Sequence, residues 1–279
     1  METPIRLEVS PSADLARQLP PAYEAPGTVS VTCLPHHGPA RTVAASIELA
    51  RLGYHVVPHL AARSIASQAE LHLFLHQLRD EGVRELFLIA GDRSAPAGPY
   101  SWSGQLMEDI KAFSEDFSLG IAGYPEGHPQ LSAEQLRSSL AGKSPMASSM
   151  VTQMCFSAES ISSYLQELHR AGSRLPVWVG VPGPVSVQKL LAMGARLGVG
   201  RSLKLARGTG MAKALLRGGD VMRYDSSGLI RDVHQALDGH PLFAGIHVYS
   251  FNDLSRLPRF EGKIAWLPKP PVKTSTSQS

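Results

Sequence analysis

Cysteine is almost absent from this chain: Cys33 and Cys155 are the only two in 279 residues, each inside an apolar, strand-like run. So sparse a set makes no disulfide framework and no thiolate metal cage, and two buried free thiols are the expectation. No stretch approaches the roughly 20 consecutive apolar residues of a bilayer span. The opening segment, METPIRLEVSPSADLARQ, carries no apolar secretory core. A soluble, cytoplasmic protein with no membrane partner is therefore expected. The 27 basic and 24 acidic residues are spread along the chain and leave a net charge of only +3. No basic stripe that could track a phosphate backbone is visible, and nucleic acid is not an expected partner.

Several chemical signatures are missing as well. There is no G-x-G-x-x-G, and Gly142-Lys143-Ser144 has Arg137 where a P-loop needs its leading glycine. Eleven histidines include the pair His36-His37 but no H-E-x-x-H, so no metal site is indicated. The G-x-S-x-G elbow of serine hydrolases is also lacking.

What is present is enough apolar material, 43% of residues, for one large core, which fits one barrel or two smaller domains. Eight apolar runs, bounded by Gly, Pro or polar clusters, read as strands buried on both faces. They are Ile5–Ser10, Thr28–Leu34, His55–Ala61, Glu85–Asp92, Leu119–Pro125, Ser149–Met154, Pro176–Pro182 and Gly245–Asn252. Between them lie amphipathic segments such as RTVAASIELARLG, SQAELHLFLHQLRDEG and SAESISSYLQELHRAG, each closed by a glycine suited to a helix C-cap. Eight strand–helix alternations predict a single-domain (β/α)8 TIM barrel over residues 1–268, with a flexible tail over 269–279. The stretch from Leu197 to His240 is too long for one helix and reads as a thickened last crossover. An open, doubly wound sheet is the structural rival, because periodicity does not show whether a sheet closes.

Barrel enzymes take their catalytic groups from the C-terminal ends of the strands. Here those ends carry Glu8, Thr32, His59, Asp92, the run Tyr124-Pro125-Glu126-Gly127-His128-Pro129, Thr152-Gln153, and Tyr249 through Asn252. A carboxylate in an apolar strand is costly unless paired or functional, and burial favours its protonated form, as a general acid requires. Glu8 and Asp92 are such carboxylates. The competing reading pairs Glu8 with Arg63 or Lys204 and makes His59 a hydrogen-bonded core histidine.

From Leu7 to Phe251 the strand ends resemble those of the methylenetetrahydrofolate reductase family. The resemblance rests on Pro58-His59-Leu60, Gly91-Asp92, Tyr124-Pro125-Glu126-Gly127-His128-Pro129 and Thr152-Gln153, and is nearest to a compact bacterial form with the catalytic barrel only. It implies a barrel that binds FAD, takes hydride from NADH or NADPH, and reduces 5,10-methylenetetrahydrofolate to 5-methyltetrahydrofolate. By the same resemblance Glu8 protonates the folate, Asp92 contacts the pterin near the flavin, and Gln153 hydrogen-bonds the pterin ring. Thr32, His59, Tyr124 and His128 line the flavin, with Lys143 near its phosphates.

The chain also departs from that pattern. Ala90 stands where the family usually has Arg, and Ser103-Gly104-Gln105-Leu106 replaces Ala-x-Asp-Leu, which removes groups near the flavin's phosphates. Weaker FAD binding is the expectation, and direct hydride transfer from NAD(P)H without flavin is the alternative. The reverse oxidation of 5-methyltetrahydrofolate and a non-catalytic folate-binding protein are the others. Leu and Trp side chains on the outer helices could form a homo-oligomer interface.

Overall fold

Alternation of buried strand and amphipathic helix continues without interruption along most of the chain, and in the computed structural model, described here for residues 3–183 and 226–254, it closes on itself. The strands are β1 Ile5–Val9, β2 Thr28–Val31, β3 His55–Ala61, β4 Glu85–Ile89, β5 Ser118–Gly123, β6 Ser149–Thr152, β7 Val177–Pro182 and β8 Phe243–Tyr249. Each pairs in parallel with the next, and β8 returns to β1 through Ile5↔Ile246 to Glu8↔Tyr249. That last pairing decides between the two topologies: the sheet is a closed eight-stranded barrel, not an open one.

The helices are α1 Leu15–Gln18, α2 Gly38–Arg51, α3 Gln68–Asp80, α4 Ser103–Phe113, α5 Ala133–Lys143, α6 Ala158–Arg170 and α7 Ser227–Leu237. Short 3-10 turns at Ala62–Ser64 and Ser144–Met146 follow β3 and precede β6. Local chemistry sets the helix ends. Ser67 and Ser157 each accept a hydrogen bond from the backbone N–H three residues on, and Ser132 forms a capping box with Gln135. The glycines expected to close α2, α3 and α6, Gly53, Gly82 and Gly172, have φ of +90°, +78° and +84°, the left-handed geometry of a C-cap.

Leu71, Leu75 and Leu78 of α3, and Ile161 and Leu165 of α6, pack into the layer between helices and barrel with outward strand residues such as Leu7, Leu119 and Val179. Fully burying each such side chain contributes about 1.5–3 kcal/mol, which is why the helices lie flat on the sheet. Cys33 and Cys155 are buried free thiols, as expected. No described helix is long and apolar enough to cross a membrane. Of the predicted last crossover, α7 is the described part; the rest, together with Lys204 and the tail from Lys269, lies outside the described residues.

Candidate active site

Contacts between strands that are not neighbours in the sheet must run through the barrel interior, and here they form two polar layers. The lower is structural. Arg6 on β1 pairs with Glu85 on β4 and lies over the Trp178 ring of β7. Above it Val57, Phe87 and Val151 form a small apolar layer of their own, separate from the main core.

The upper layer centres on Glu8. Its Oε2 is 3.1 Å from His247 Nε2 on β8 and 3.8 Å from His59 Nε2 on β3. His59 Nε2 is in turn 2.8 Å from Ser30 Oγ on β2, and its ring packs on Phe87. Burial pushes the His59 pKa down to about 4, against the opposing pull of Glu8, so this imidazole is neutral near pH 7. Arg63, one alternative partner for Glu8, is committed elsewhere: its Nε donates to the carbonyl of Ser101 and its Nη1 to that of Arg93. Among the described residues Glu8 therefore has no Lys or Arg partner, and only a seventh of its side chain is exposed (14%).

Tyr249 joins this group to the next. Its hydroxyl donates to the carbonyl of Thr152, and burial, with Glu8 and then Tyr124 adding to it, raises its pKa well above the ordinary phenol range. Room for the ring comes from Gly180, where a Cβ would lie 2.8 Å from Tyr249 Cε2 and 2.4 Å from the Thr152 carbonyl. On the far side, Tyr124 and His128 meet edge to face at 5.1 Å between centroids, and Asp92 interacts electrostatically with both. Burial raises the Tyr124 pKa, with Asp92 adding to it. Burial lowers that of His128, with Asp92 opposing.

Several predicted residues are thus brought together, and others are not. Glu8 and His59 share one cluster; Asp92, Tyr124 and His128 share another at the exposed loop level. Gln153 follows β6, with its N–H on the Gly123 carbonyl and its side-chain oxygen accepting from Met154 N. Thr32 follows β2 and donates to Ser10 Oγ. Lys143 stands apart on α5, lining a cavity of about 220 Å³ with Ala122, Tyr124, Arg137, Tyr164 and Glu167. Only 7% of Lys143 is exposed, burial lowers its pKa, and it makes no ion pair or hydrogen bond with a described residue.

Asn252 and Ser250, at the predicted end of strand 8, close the barrel seam. Asn252 exchanges two hydrogen bonds with the Ser10 backbone, at 2.7 and 2.8 Å, and Ser250 Oγ donates to the Glu8 carbonyl. Phe251 and Asn252 take left-handed φ of 53° and 57° to make that clasp. Sequence reasoning missed His247 and Ser30. The signal for His247 was its spacing: two residues before Tyr249, it points to the same face of the strand.

Comparison with known proteins agrees with this geometry. The family model for methylenetetrahydrofolate reductase matches residues 21–199, well over half of the chain. The chain belongs to the methylenetetrahydrofolate reductase family. The 5,10-methylenetetrahydrofolate reductase of Salmonella typhimurium is 27% identical over 138 residues, which is 47% of this chain and 45% of the relative; that of Escherichia coli gives the same figures. Methylenetetrahydrofolate reductase 2 of Saccharomyces cerevisiae is 21% identical over 183 residues, 61% of this chain and 30% of the relative. The matched region thus spans less than half the length of these relatives. Among solved structures, oxaloacetate acetylhydrolase superposes with a TM-score of 0.54 at 11% identity, covering 91% of this chain and 77% of that one, a likeness of fold alone.

Proposed function

We propose that this member of the methylenetetrahydrofolate reductase family reduces 5,10-methylenetetrahydrofolate to 5-methyltetrahydrofolate with hydride from NADH or NADPH and with FAD at the C-terminal face. The observation that carries the reading is the Glu8 carboxyl, held at the barrel interior by a hydrogen bond with His247, with no Lys or Arg beside it among the described residues. A carboxyl so placed can carry a proton and give it up, whereas an Arg or Lys partner would hold it ionised.

Glu8 gives its proton to one of the two nitrogens of the methylene bridge. The C–N bond to that nitrogen breaks with its electron pair, leaving an iminium carbon on the other nitrogen as hydride acceptor and Glu8 as a carboxylate. Asp92, exposed beside Tyr124 and His128, offers negative charge to the cationic pterin. Gln153, its side-chain oxygen taken by Met154 N, offers its amide N–H groups.

The residues present fit a flavin dinucleotide at one point above all. Lys143 is a buried ammonium without an anionic partner among the described residues, in a cavity shared with Tyr124, and a phosphate would complete it. Thr32, His59, Tyr124, His128 and Lys143 are the residues that would hold FAD, whose chemistry is to relay hydride from the nicotinamide to the folate.

A second reading, direct hydride transfer without flavin, is favoured by one observation. Ala90 occupies the position where the family usually has Arg, and the nearby Arg63 spends its guanidinium on the carbonyls of Ser101 and Arg93.

The absorbance spectrum of the purified protein, before and after NADH, tests both. Yellow protein that NADH bleaches and methylenetetrahydrofolate restores is the expected result. Colourless protein that oxidises NADH with the folate selects the second reading. Protein that turns over no folate in either direction refutes folate reduction itself.

A further inference from the structure

The two carboxyl oxygens of Glu8 are not equivalent. Oε2 meets His247 Nε2 at 3.1 Å and faces His59 Nε2 at 3.8 Å, while Oε1 has no hydrogen-bond partner among the described residues. His247 itself is 1% exposed, and its other nitrogen, Nδ1, is buried with no described partner. Its ring is hemmed in by Tyr249, which packs edge-on at 4.9 Å and is itself fixed to the Thr152 carbonyl.

These facts constrain the imidazole. A ring proton on Nδ1 would bury an unsatisfied donor, and protonation of both nitrogens would bury an unsatisfied donor together with a charge. Buried N–H groups left without an acceptor are rarer than buried acceptors left without a donor. The arrangement that leaves only a lone pair unpaired has the proton on Nε2, donated to Glu8 Oε2.

We infer that His247 is the positioning residue of the Glu8 acid: a neutral Nε2–H donor that occupies Oε2 and so leaves the transferable proton on Oε1. The inference deepens the folate-reduction reading and rests on it for the identity of the proton acceptor. One hydrogen bond then serves both charge states. With Glu8 protonated on Oε1, Oε2 accepts from His247. When the Oε1 proton has passed to the bridge nitrogen, the same N–H stabilises the carboxylate left behind. A His247 cation would instead pair with Glu8 and oppose its protonation. His59, the other imidazole facing Oε2, is beyond hydrogen-bonding distance and already has Ser30 as partner.

Two measurements test this. The first needs no activity: nitrogen-15 NMR of histidine-labelled wild-type protein near pH 7, with the His247 signals assigned by their loss in His247→Gln. A protonated Nε2 beside a bare Nδ1 is expected; the opposite tautomer, or an imidazolium, overturns the inference. The second compares kcat and KM for methylenetetrahydrofolate in wild type, His247→Leu and His247→Gln, all checked for folding by circular dichroism. The Leu variant should lose kcat by roughly thirtyfold, part of the hundredfold or more that a general acid contributes, with KM changed less than about threefold. The Gln variant, which keeps an N–H donor, should recover to within about fivefold of wild type. A Leu variant with undiminished kcat, or a Gln variant as slow as Leu, overturns the inference. Wild-type protein without folate turnover would instead sink the folate reading, and the tautomer would still be decided by the NMR measurement.

Discussion

Arg6 on β1 donates to both carboxylate oxygens of Glu85 on β4, at 2.6 and 3.1 Å, while its guanidinium carbon lies 3.9 Å from the Trp178 ring centroid on β7. Three strands spaced around the barrel are thereby tied across its floor, below the layer that holds Glu8. Removing one partner should be costly, because Arg6 is only 8% exposed and its charge would stay behind. Glu85→Leu should destabilise the protein by about 1–3 kcal/mol, below the usual figure for a fully buried pair because Glu85 is part-exposed. Thermal unfolding should show a lower midpoint for Glu85→Leu and a partial recovery for Arg6→Met/Glu85→Leu. A double variant worse than the single would exclude the stranded charge as the cause.

His59 makes stability depend on pH with a definite sign. Its pKa falls to about 4 in the folded protein, against about 6.5 for an unfolded histidine. Between those values the unfolded chain binds a proton that the native ring refuses, so stability falls as pH drops from about 6.5 towards 4. The contribution approaches the order of 3 kcal/mol at the acid end and vanishes above the unfolded pKa. Urea unfolding at several pH values should give a shallower acid dependence for His59→Asn than for wild type. Equal slopes in the two proteins would remove His59 as the source.

The general acid can be isolated from the redox step. Glu8→Gln keeps the side-chain shape and removes the transferable proton, so folate turnover should fall at least about a hundredfold. Reduction of an artificial acceptor by NADH, which needs no proton on folate, should remain within about twofold in a flavin-containing preparation, because the general-acid contribution is absent from it. Equal loss in both assays would mean that Glu8 acts on the cofactor and not on the folate.

The sequence carried the barrel more completely than it carried the site. All eight strands overlap the apolar runs read from the chain, because strands buried on both faces must be apolar and are punctuated by Gly, Pro and polar turns. The helix stops were legible for an equally local reason, the left-handed backbone at Gly53, Gly82 and Gly172. Asp92 lies three residues beyond the observed end of β4, since the pairing stops at Ile89 and the chain then turns into the loop. What could not be read was pairing across the interior. Arg6 with Glu85 and Glu8 with His247 are separated by 79 and 239 residues and meet only because the sheet closes, whereas His59 with Ser30 needs the register of the adjacent strands β2 and β3. A lone histidine in GIHVYSFN reads as core until closure sets a carboxylate beside it.

Lys143 should show opposite signs in two measurements. Its ammonium is buried without a described counter-ion, and burial lowers its pKa, which means that the charged form is disfavoured in the fold. Lys143→Met fills similar volume without that cost, so the cofactor-free protein should become more stable, by about 1 kcal/mol. If the cavity beside Tyr124 takes a flavin phosphate, the same change removes a charged hydrogen bond worth about 1.5–3 kcal/mol, and FAD should bind roughly ten- to a hundredfold more weakly. Chemical denaturation of the cofactor-free protein gives the first quantity, and titration of FAD followed by flavin fluorescence gives the second. A gain in stability with unchanged FAD affinity would separate Lys143 from the cofactor and leave it a buried cation whose partner must be sought elsewhere.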